Sequence, residues 1–457
     1  MDVQIISSEI IKPSSPTPHH LRHFKLSFLD QTSAPFYIPL TLFYNTKFDL
    51  GDDSQIHIHL KKSLSETLNI FYPLAGRIQD MFTILCNDDG VCYTEAKANF
   101  TLSEFLHRPD LNLLNKFLPR RTNSLETGID FQFSVQISVF SCGGLVIGAC
   151  AFHRIVDVAT MASFLKTWAG YCICGPTRDE PVENPDLALD LGSSLFPTLS
   201  SLPADYLTNH TSFYFPGGNF SSLTRRFVFD SSAIAALRKK ATSAAVPRPS
   251  RVEVLTGFIS ERLMAGLKKL ASEPPPPPAM TVTHAVNIRK RIEPPLPENA
   301  FGNFTWFAAA FYSPSEEVGL PDYVETLRES LDGINGENLK EMEPESAVRS
   351  LSTNMRMLSD SESNGQLRVY KFSSWCNMGF YDLDFGWGRP VWVAHMGDAG
   401  DSRTKHQLMF LDGTNDGEIE LWVLFGEDDM WMLENDEEFL AFARPNPSIH
   451  TWDVQSF

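Results

Sequence analysis

Apolar positions recur along this chain with periods that change from stretch to stretch, and each change predicts an element. In "LKKSLSETLNIFYPLAG" the residues Leu60, Leu64, Leu68 and Phe71 fall at helical spacing, and Pro73 with Gly76 ends the run. "FQFSVQISVF" alternates as a half-buried strand does, "SCGG" supplies a turn, and "LVIGACAF" reads as a strand buried on both faces. The predicted hairpin delivers His153 at its end. Val158, Met161, Leu165, Trp168, Ala169 and Cys172 then mark one face of a core-facing helix.

From 175 to 224 the pattern weakens into Pro, Asp, Ser and Gly, which reads as a long connection between two halves. Beyond it come a strand at "RRFVFD" and helices at "SSAIAALRKKA" and "SRVEVLTGFISERLMAGLKKL", with Ser231 and Ser250 placed as N-caps. A strand follows at "MTVTHAVNI". Pro274 to Pro278 form a stiff spacer in preference to an SH3-type ligand. "DGEIELWVLF" reads as a strand and "EDDMWMLENDEEFLAFA" as one acidic helix. No repeat with a period of roughly 20–50 residues is present. The connection at 175–224 separates two halves, each mixing strands and helices.

Composition narrows the function. With 457 residues, 43% of them hydrophobic, the chain can bury two large cores, and disorder is excluded. Its net charge of -18 disfavours nucleic acid and anionic membrane as partners, so a phosphorylated ligand needs a local basic patch. Arg225–Arg226, Lys239–Lys240 and Lys268–Lys269 are candidates, although solvated surface charge is the plainer reading of each pair. No apolar run is long enough to span a membrane and no signal peptide is evident, so a cytoplasmic location is expected. Seven scattered cysteines without a CxxC pair predict reduced thiols and no zinc site. The glycosylation-like triplets at Asn99, Asn209, Asn219 and Asn303 then carry no meaning.

The chemistry centres on "HRIVD", His153 to Asp157. With 12 histidines, roughly 0.7 His-x-x-x-Asp matches are expected by chance, so spacing alone says nothing. Context adds more, because this histidine closes a buried hairpin directly before a helix, at a sheet edge where a cleft can form. A neutral imidazole is suited to removing a proton from an alcohol near neutral pH. Context leaves a catalytic and a purely structural histidine equally open. No G-x-S-x-G or protease-type cysteine accompanies it, which points to direct attack by a bound substrate. His19 and His23 have the spacing of a metal pair but lack an acidic ligand nearby, and no metal is expected. His57 and His59 read as exposed residues flanking an element. P-loop and dinucleotide fingerprints are absent.

A second motif, "DFGWG" at Asp384 to Gly388, makes the chain resemble the plant BAHD acyl-CoA-dependent acyltransferases, whose signatures are His-x-x-x-Asp and Asp-Phe-Gly-Trp-Gly. The resemblance covers essentially the whole chain, including "IIKPSSPTP", "FYPLAGRI", "CGGLVIGACAFHRIVD", "SRVEVLTGFI", "PPLPENAFGN", "SSWC" and "NPSI". It implies two chloramphenicol-acetyltransferase-like α/β domains with mixed sheets, an N-terminal one (1–205) and a C-terminal one (225–457), joined by a long crossover (206–224), with a channel between them. His153 would be the general base. Asp157 would turn away from the channel and pair with Arg289, or with Arg291 in its place, to hold the histidine loop. Ser373 and Trp375 match positions that can donate hydrogen bonds toward an oxyanion, with core packing the plainer role for Trp375. Asp384, Gly386 and Gly388 would be architectural. Ser250, Arg251, Gly302 and Asn303 are the positions expected to contact CoA.

Departures sharpen the reading. Val158 stands where many members have glycine, a mark of the alkaloid-associated branch. Asn377 and Gly379 stand where that branch commonly has Arg and Pro, which questions any CoA or acceptor contact there. "AFGNF" at Ala300 to Phe304 replaces the "YFGNC" box of malonyltransferases and counts against a malonyl donor. The resemblance therefore implies acetyl-CoA as co-substrate, with no permanently bound cofactor. It also implies a bulky hydrophobic alkaloid or terpenoid alcohol as acceptor and a monomeric enzyme. A benzoyl, tigloyl or longer branched acyl donor is one alternative, and a weakly catalytic relative that binds a metabolite or a partner protein is another.

Overall fold

β-Branched and aromatic runs form the strands of two large mixed sheets and one small one in the computed structural model, which describes residues 1–46, 53–119, 131–174, 185–215, 222–270, 276–315, 317–395, 397 and 405–449. In chain order the strands are β1 (Val3–Ile11), β2 (His23–Lys25), β3 (Tyr37–Tyr44), β4 (Arg77–Ile78), β5 (Thr83–Leu85), β6 (Val91–Ala98), β7 (Phe133–Phe140) and β8 (Leu145–Phe152). They continue with β9 (Ser222–Phe229), β10 (Ala279–Asn287), β11 (Thr305–Tyr312), β12 (Leu367–Ser374), β13 (Trp392–Ala394), β14 (Gln407–Asp412), β15 (Ile419–Gly426) and β16 (Arg444–Pro445).

The first large sheet has the order β1-β6-β7-β8-β3-β13 and the second β11-β10-β12-β14-β15-β9-β16. Parallel pairs (β6 with β7, β10 with β12, β12 with β14) sit among antiparallel ones. One strand crosses over: β13, from the second half of the sequence, completes the first sheet by pairing with β3, Trp392 opposite Phe43. Trp392 stacks on Phe43 with ring centroids 5.1 Å apart.

A buried ion pair ties this crossing to the second sheet. Arg226 of β9 makes a two-pronged bond to Glu420 of β15, Nε to Oε2 at 2.8 Å and Nη2 to Oε1 at 2.5 Å. Trp392 and Trp422 donate their indole N–H groups to the same carboxylate at 3.1 and 3.2 Å. Arg226 is 1% exposed and Glu420 0%. Arg226 is thus no solvated surface charge, whereas Lys239, Lys240, Lys268 and Lys269 are exposed.

Several other local expectations need correction. β7 is buried at every position, because β6 and β8 flank it and both sheet faces are covered, so its alternation does not mark a wet face. The helix before "FYPLAG" runs Asp53–Ile70; within it His57 is buried and bonded through Nδ1 to the Tyr93 hydroxyl at 2.9 Å, while His59 is exposed. Asp230, not Ser231, caps the Ser231–Ala241 helix, its carboxylate accepting from the Ala233 N–H at 2.8 Å. The acidic tail helix is two pieces, Glu427–Glu434 and Glu437–Leu440, the second capped by Asp436.

The stretch 175–224 contains the helices Pro185–Leu195 and Tyr206–Tyr214. The second forms through tertiary contacts: Tyr206 donates to the Thr32 carbonyl at 3.1 Å and Asn209 to Ser352 Oγ at 2.9 Å. Residues 175–184 and 216–221 of that stretch, Asn219 among them, lie outside the described residues, as do Pro274 and Pro275. The six cysteines whose side chains are described form no disulfide among themselves. Among the described residues no helix is long and apolar enough to cross a membrane, and no cluster of His, Cys, Asp and Glu could hold a metal.

Candidate active site

β8 ends at Phe152, and the chain turns immediately, so His153 leaves the sheet and lines a cleft between the two large sheets. The cleft holds about 1280 Å³ of space, open solvent at its mouth included. The His153 N–H donates to the Phe36 carbonyl at 2.9 Å, and the ring stands edge-on to Phe36. Burial pulls the imidazole pKa below its ordinary value, with Asp157 and the Asn303 hydrogen bond opposing. The resting ring is therefore neutral.

Asn303 decides which nitrogen carries the proton. Its backbone N–H and its Nδ2 both donate to Asp30 Oδ1, at 2.7 and 2.9 Å, and Nδ2 also reaches the His153 carbonyl at 2.8 Å. That fixes the amide orientation, since a flipped amide would set its oxygen against a carboxylate. Oδ1 then faces His153 Nδ1 at 3.1 Å and accepts a hydrogen bond from its N–H, which leaves the lone pair on Nε2. Asp30 is held in turn by the Ser27 N–H and hydroxyl, and burial raises its pKa to about 6. Gly302, at φ +117°, bends the backbone so that Asn303 can reach both partners.

Asp157 is committed to Arg289. Arg289 grips both its oxygens, Nη1 to Oδ2 at 2.6 Å and Nη2 to Oδ1 at 3.0 Å. The N–H groups of Thr160 and Phe304 add two more bonds. Arg289 also donates to the carbonyls of Ala300 and Gly302 at 2.9 and 3.1 Å, so one guanidinium clamps the histidine turn to the loop that carries Asn303. Burial opposes ionisation of Asp157, but Arg289 and the donors hold its pKa below the ordinary carboxylate value. Arg291 goes elsewhere, to the carbonyls of Leu331 and Ile334.

Ser373 in β12 and Trp375 just beyond its end line the cleft with His153. Trp375 is buried, and its ring meets His395 edge-on at 4.5 Å. Asp384 lies outside the cleft lining and accepts from the N–H groups of Gly386 and Gly388 at 2.7 and 2.9 Å. Both glycines have φ near +100°, a conformation that favours glycine. Phe385 packs edge-on to Trp168 with ring centroids 5.1 Å apart.

The four positions expected at CoA separate. Ser250 caps the Arg251–Leu270 helix in a reciprocal pair with Glu253. Arg251 reaches Asn377 Oδ1 at 3.4 Å and Asp412 Oδ1 at 3.6 Å at a partly exposed rim. Gly302 and Asn303 are instead buried beneath His153, where the Asn303 amide is committed to Asp30 and His153. Asn377 (φ 62°) and Gly379 (φ 74°) both sit in left-handed conformations. A proline, whose φ is fixed near -65°, could not occupy position 379 here. Sequence reasoning missed Asp30, because nothing local in "LSFLDQT" signals a partner 273 residues away.

Asn303→Asp is expected to raise the His153 pKa, because a carboxylate beside Nδ1 favours the imidazolium. The acid limb of the kcat/KM pH profile should move up by roughly one unit or more. An unmoved limb would show that Asn303 does not govern this ring.

Two mixed-sheet domains, with a neutral, tautomer-fixed histidine at the cleft between them, define an acyltransferase of the chloramphenicol-acetyltransferase type. The chain belongs to the Transferase family, the BAHD acyltransferases, whose sequence profile matches residues 1–440. It is 46% identical to akuammiline synthase 2 of Alstonia scholaris, over 98% of each chain. It is 38% identical to the limonoid 7-O-acetyltransferase of Citrus sinensis, over 98% of this chain and 99% of that one. The crystal structure of vinorine synthase superposes with a TM-score of 0.77 at 31% identity, covering 98% of this chain and 99% of that one.

Proposed function

We propose that the protein transfers an acetyl group from acetyl-CoA to a hydroxyl of a hydrophobic specialised metabolite, an alkaloid or terpenoid alcohol. The observation that carries this reading is His153, with Nδ1 donated to Asn303 and Nε2 left as the basic nitrogen in the cleft. The limonoid acetyltransferase relative supports both the acetyl donor and a terpenoid-type acceptor.

The acceptor hydroxyl oxygen attacks the thioester carbonyl as its proton passes to Nε2. The new C–O bond gives a tetrahedral oxyanion, and Ser373 and Trp375, which line the cleft with His153, are the donors we assign to it. Collapse breaks the C–S bond, and the CoA thiolate takes the proton back from Nε2. Asp157 and Arg289 act as positioning residues for the His153 turn, since about 1 Å of misplacement can cost two orders of magnitude in rate.

Arg251 and Asn377 mark the rim at which CoA enters, with Arg251 supplying the positive charge that position 377 lacks. Ser250 contributes through the helix N-terminus it caps. The domain division at 1–205 and 225–457 is supported by sheet membership, β13 being the strand that crosses it. Both cleft walls come from one chain, which supports a monomer, and six described cysteines with no disulfide among themselves support a cytoplasmic location.

The test is release of free CoA thiol from acetyl-CoA by the purified protein with pooled plant triterpenoid and alkaloid alcohols. Alcohol-dependent release is expected. Release only with benzoyl-CoA or tigloyl-CoA would replace the donor, and none with any donor would overturn the reading.

A further inference from the structure

The floor of the cleft is one face of the second large sheet, and its polar residues are not all used by the chemistry above. Lys371 and Gln407 stand directly opposite each other on β12 and β14, with Ser373 and Met409 two residues further on. Side chains two apart share a face of a strand, and all four line the cleft. Gln407 and His395 also share a small recess with Met409, which joins Lys371, Gln407 and His395 into one polar strip.

Lys371, at one end of that strip, has donor capacity to spare, and His395, at the other, has a ring nitrogen unpartnered among the described residues. Lys371 Nζ donates to the Phe213 carbonyl at 2.5 Å and lies 4.2 Å from the Phe213 ring centroid, which accounts for one of an ammonium's three N–H bonds. Burial lowers its pKa to about 8. Glu362, the carboxylate acting on it, is itself bonded to His406 at 3.1 Å. His395 is 4% exposed, and its Nδ1 has no hydrogen-bond partner among the described residues. Burial holds that ring neutral. Buried polar groups without partners are costly, so a ligand oxygen within reach of the Lys371 ammonium is favoured.

Position along β12 says which substrate meets them. Lys371 lies two residues before Ser373, roughly 7 Å to one side of the reacting centre, whereas Asn377 and Arg251 lie on the other. If CoA enters at the Arg251 rim, as the proposed function has it, the acceptor occupies the Lys371 side.

We propose that Lys371, with Gln407 and His395 beside it, binds an uncharged carbonyl oxygen of the acceptor, so that the enzyme selects hydroxylated polycycles bearing an ester, lactone or ketone. Among the described residues the lining contains no arginine fork for a carboxylate. The carboxylate among them, Asp157, is saturated by Arg289 and its other donors, so a protonated amine finds no counterion in the described lining. The inference rests on the acyltransferase reading for its geometry, but it is tested separately, by binding.

The probes are methyl ursolate, ursolic acid and α-amyrin, which carry an ester, a carboxylate and a methyl group at one position, and testosterone against androst-4-en-17β-ol. Binding is read by tryptophan fluorescence without CoA, and turnover by thiol release with acetyl-CoA. In at least one set the uncharged carbonyl compound should bind roughly tenfold to a hundredfold more tightly than its carbonyl-free partner. Lys371→Met should remove most of that preference, and Gln407→Leu part of it. No preference in either set, or one unchanged in Lys371→Met, would overturn the inference, and tighter binding of ursolic acid than of its methyl ester would reassign the strip to a carboxylate. The wild-type comparison stands even if a variant fails to fold. An intact binding preference without thiol release from any alcohol would sink the acyltransferase reading alone.

Discussion

His153→Ala is expected to lower kcat for acetyl transfer by roughly 10²–10⁴-fold, the usual worth of a positioned general base, with the melting temperature little changed. Stability should survive because the ring projects into the cleft, while the backbone N–H that ties the turn to Phe36 remains. The wild-type pH profile supplies an independent check. Since burial lowers the imidazole pKa from its ordinary value of 6.5, the neutral, proton-accepting form persists at a pH where an exposed histidine would already be half charged. The acid limb of kcat/KM should therefore lie below 6.5. A limb well above it, or an alanine variant with near wild-type turnover, would remove His153 from the role of base.

The second large effect concerns stability. Glu420→Ala should cost about 3–5 kcal/mol, because it strands the buried Arg226 guanidinium and leaves two indole N–H groups without their acceptor. For a domain of this size that corresponds to a fall in Tm of roughly 6–20 °C. Replacing both partners with apolar residues, as in Arg226→Met with Glu420→Leu, should recover much of the loss, since no charge is then left buried alone. Thermal or urea denaturation of the two variants beside wild type measures both effects. A single variant as stable as wild type would mean that the cluster does not hold β13 and the second sheet together.

The two predictions differ in how much of their basis was legible in the sequence. The hairpin ending at His153 and the buried face of the following helix could be read directly, because a period of two and a period of 3.6 are local properties of a chain. The pairing of Asp157 with Arg289 was expected from resemblance, and the geometry adds the reason it matters: the same guanidinium also holds the carbonyls of Ala300 and Gly302. The DFGWG segment read as a turn that packs, since two glycines and two aromatic residues in five positions leave few other uses.

Local pattern was silent wherever distant residues meet. Arg226 sits in an ordinary "RRFVFD" strand, and only the arrival of Glu420, 194 residues on, makes it an interior charge. The Tyr206–Tyr214 helix has weak periodicity of its own and takes its order from Thr32 and Ser352. Asn303 looked like part of a CoA-binding loop, and the fold turned it beneath His153, where its amide selects the basic nitrogen. Lys371 was unremarked in sequence, because its strand resembles any other until β14 sets Gln407 beside it and the first domain closes over both. Short-range periodicity thus determined which segments become strands and helices and where the histidine emerges. Long-range contact decided which polar groups lose water, and that loss of water is what sets their pKa values, partners and chemical roles.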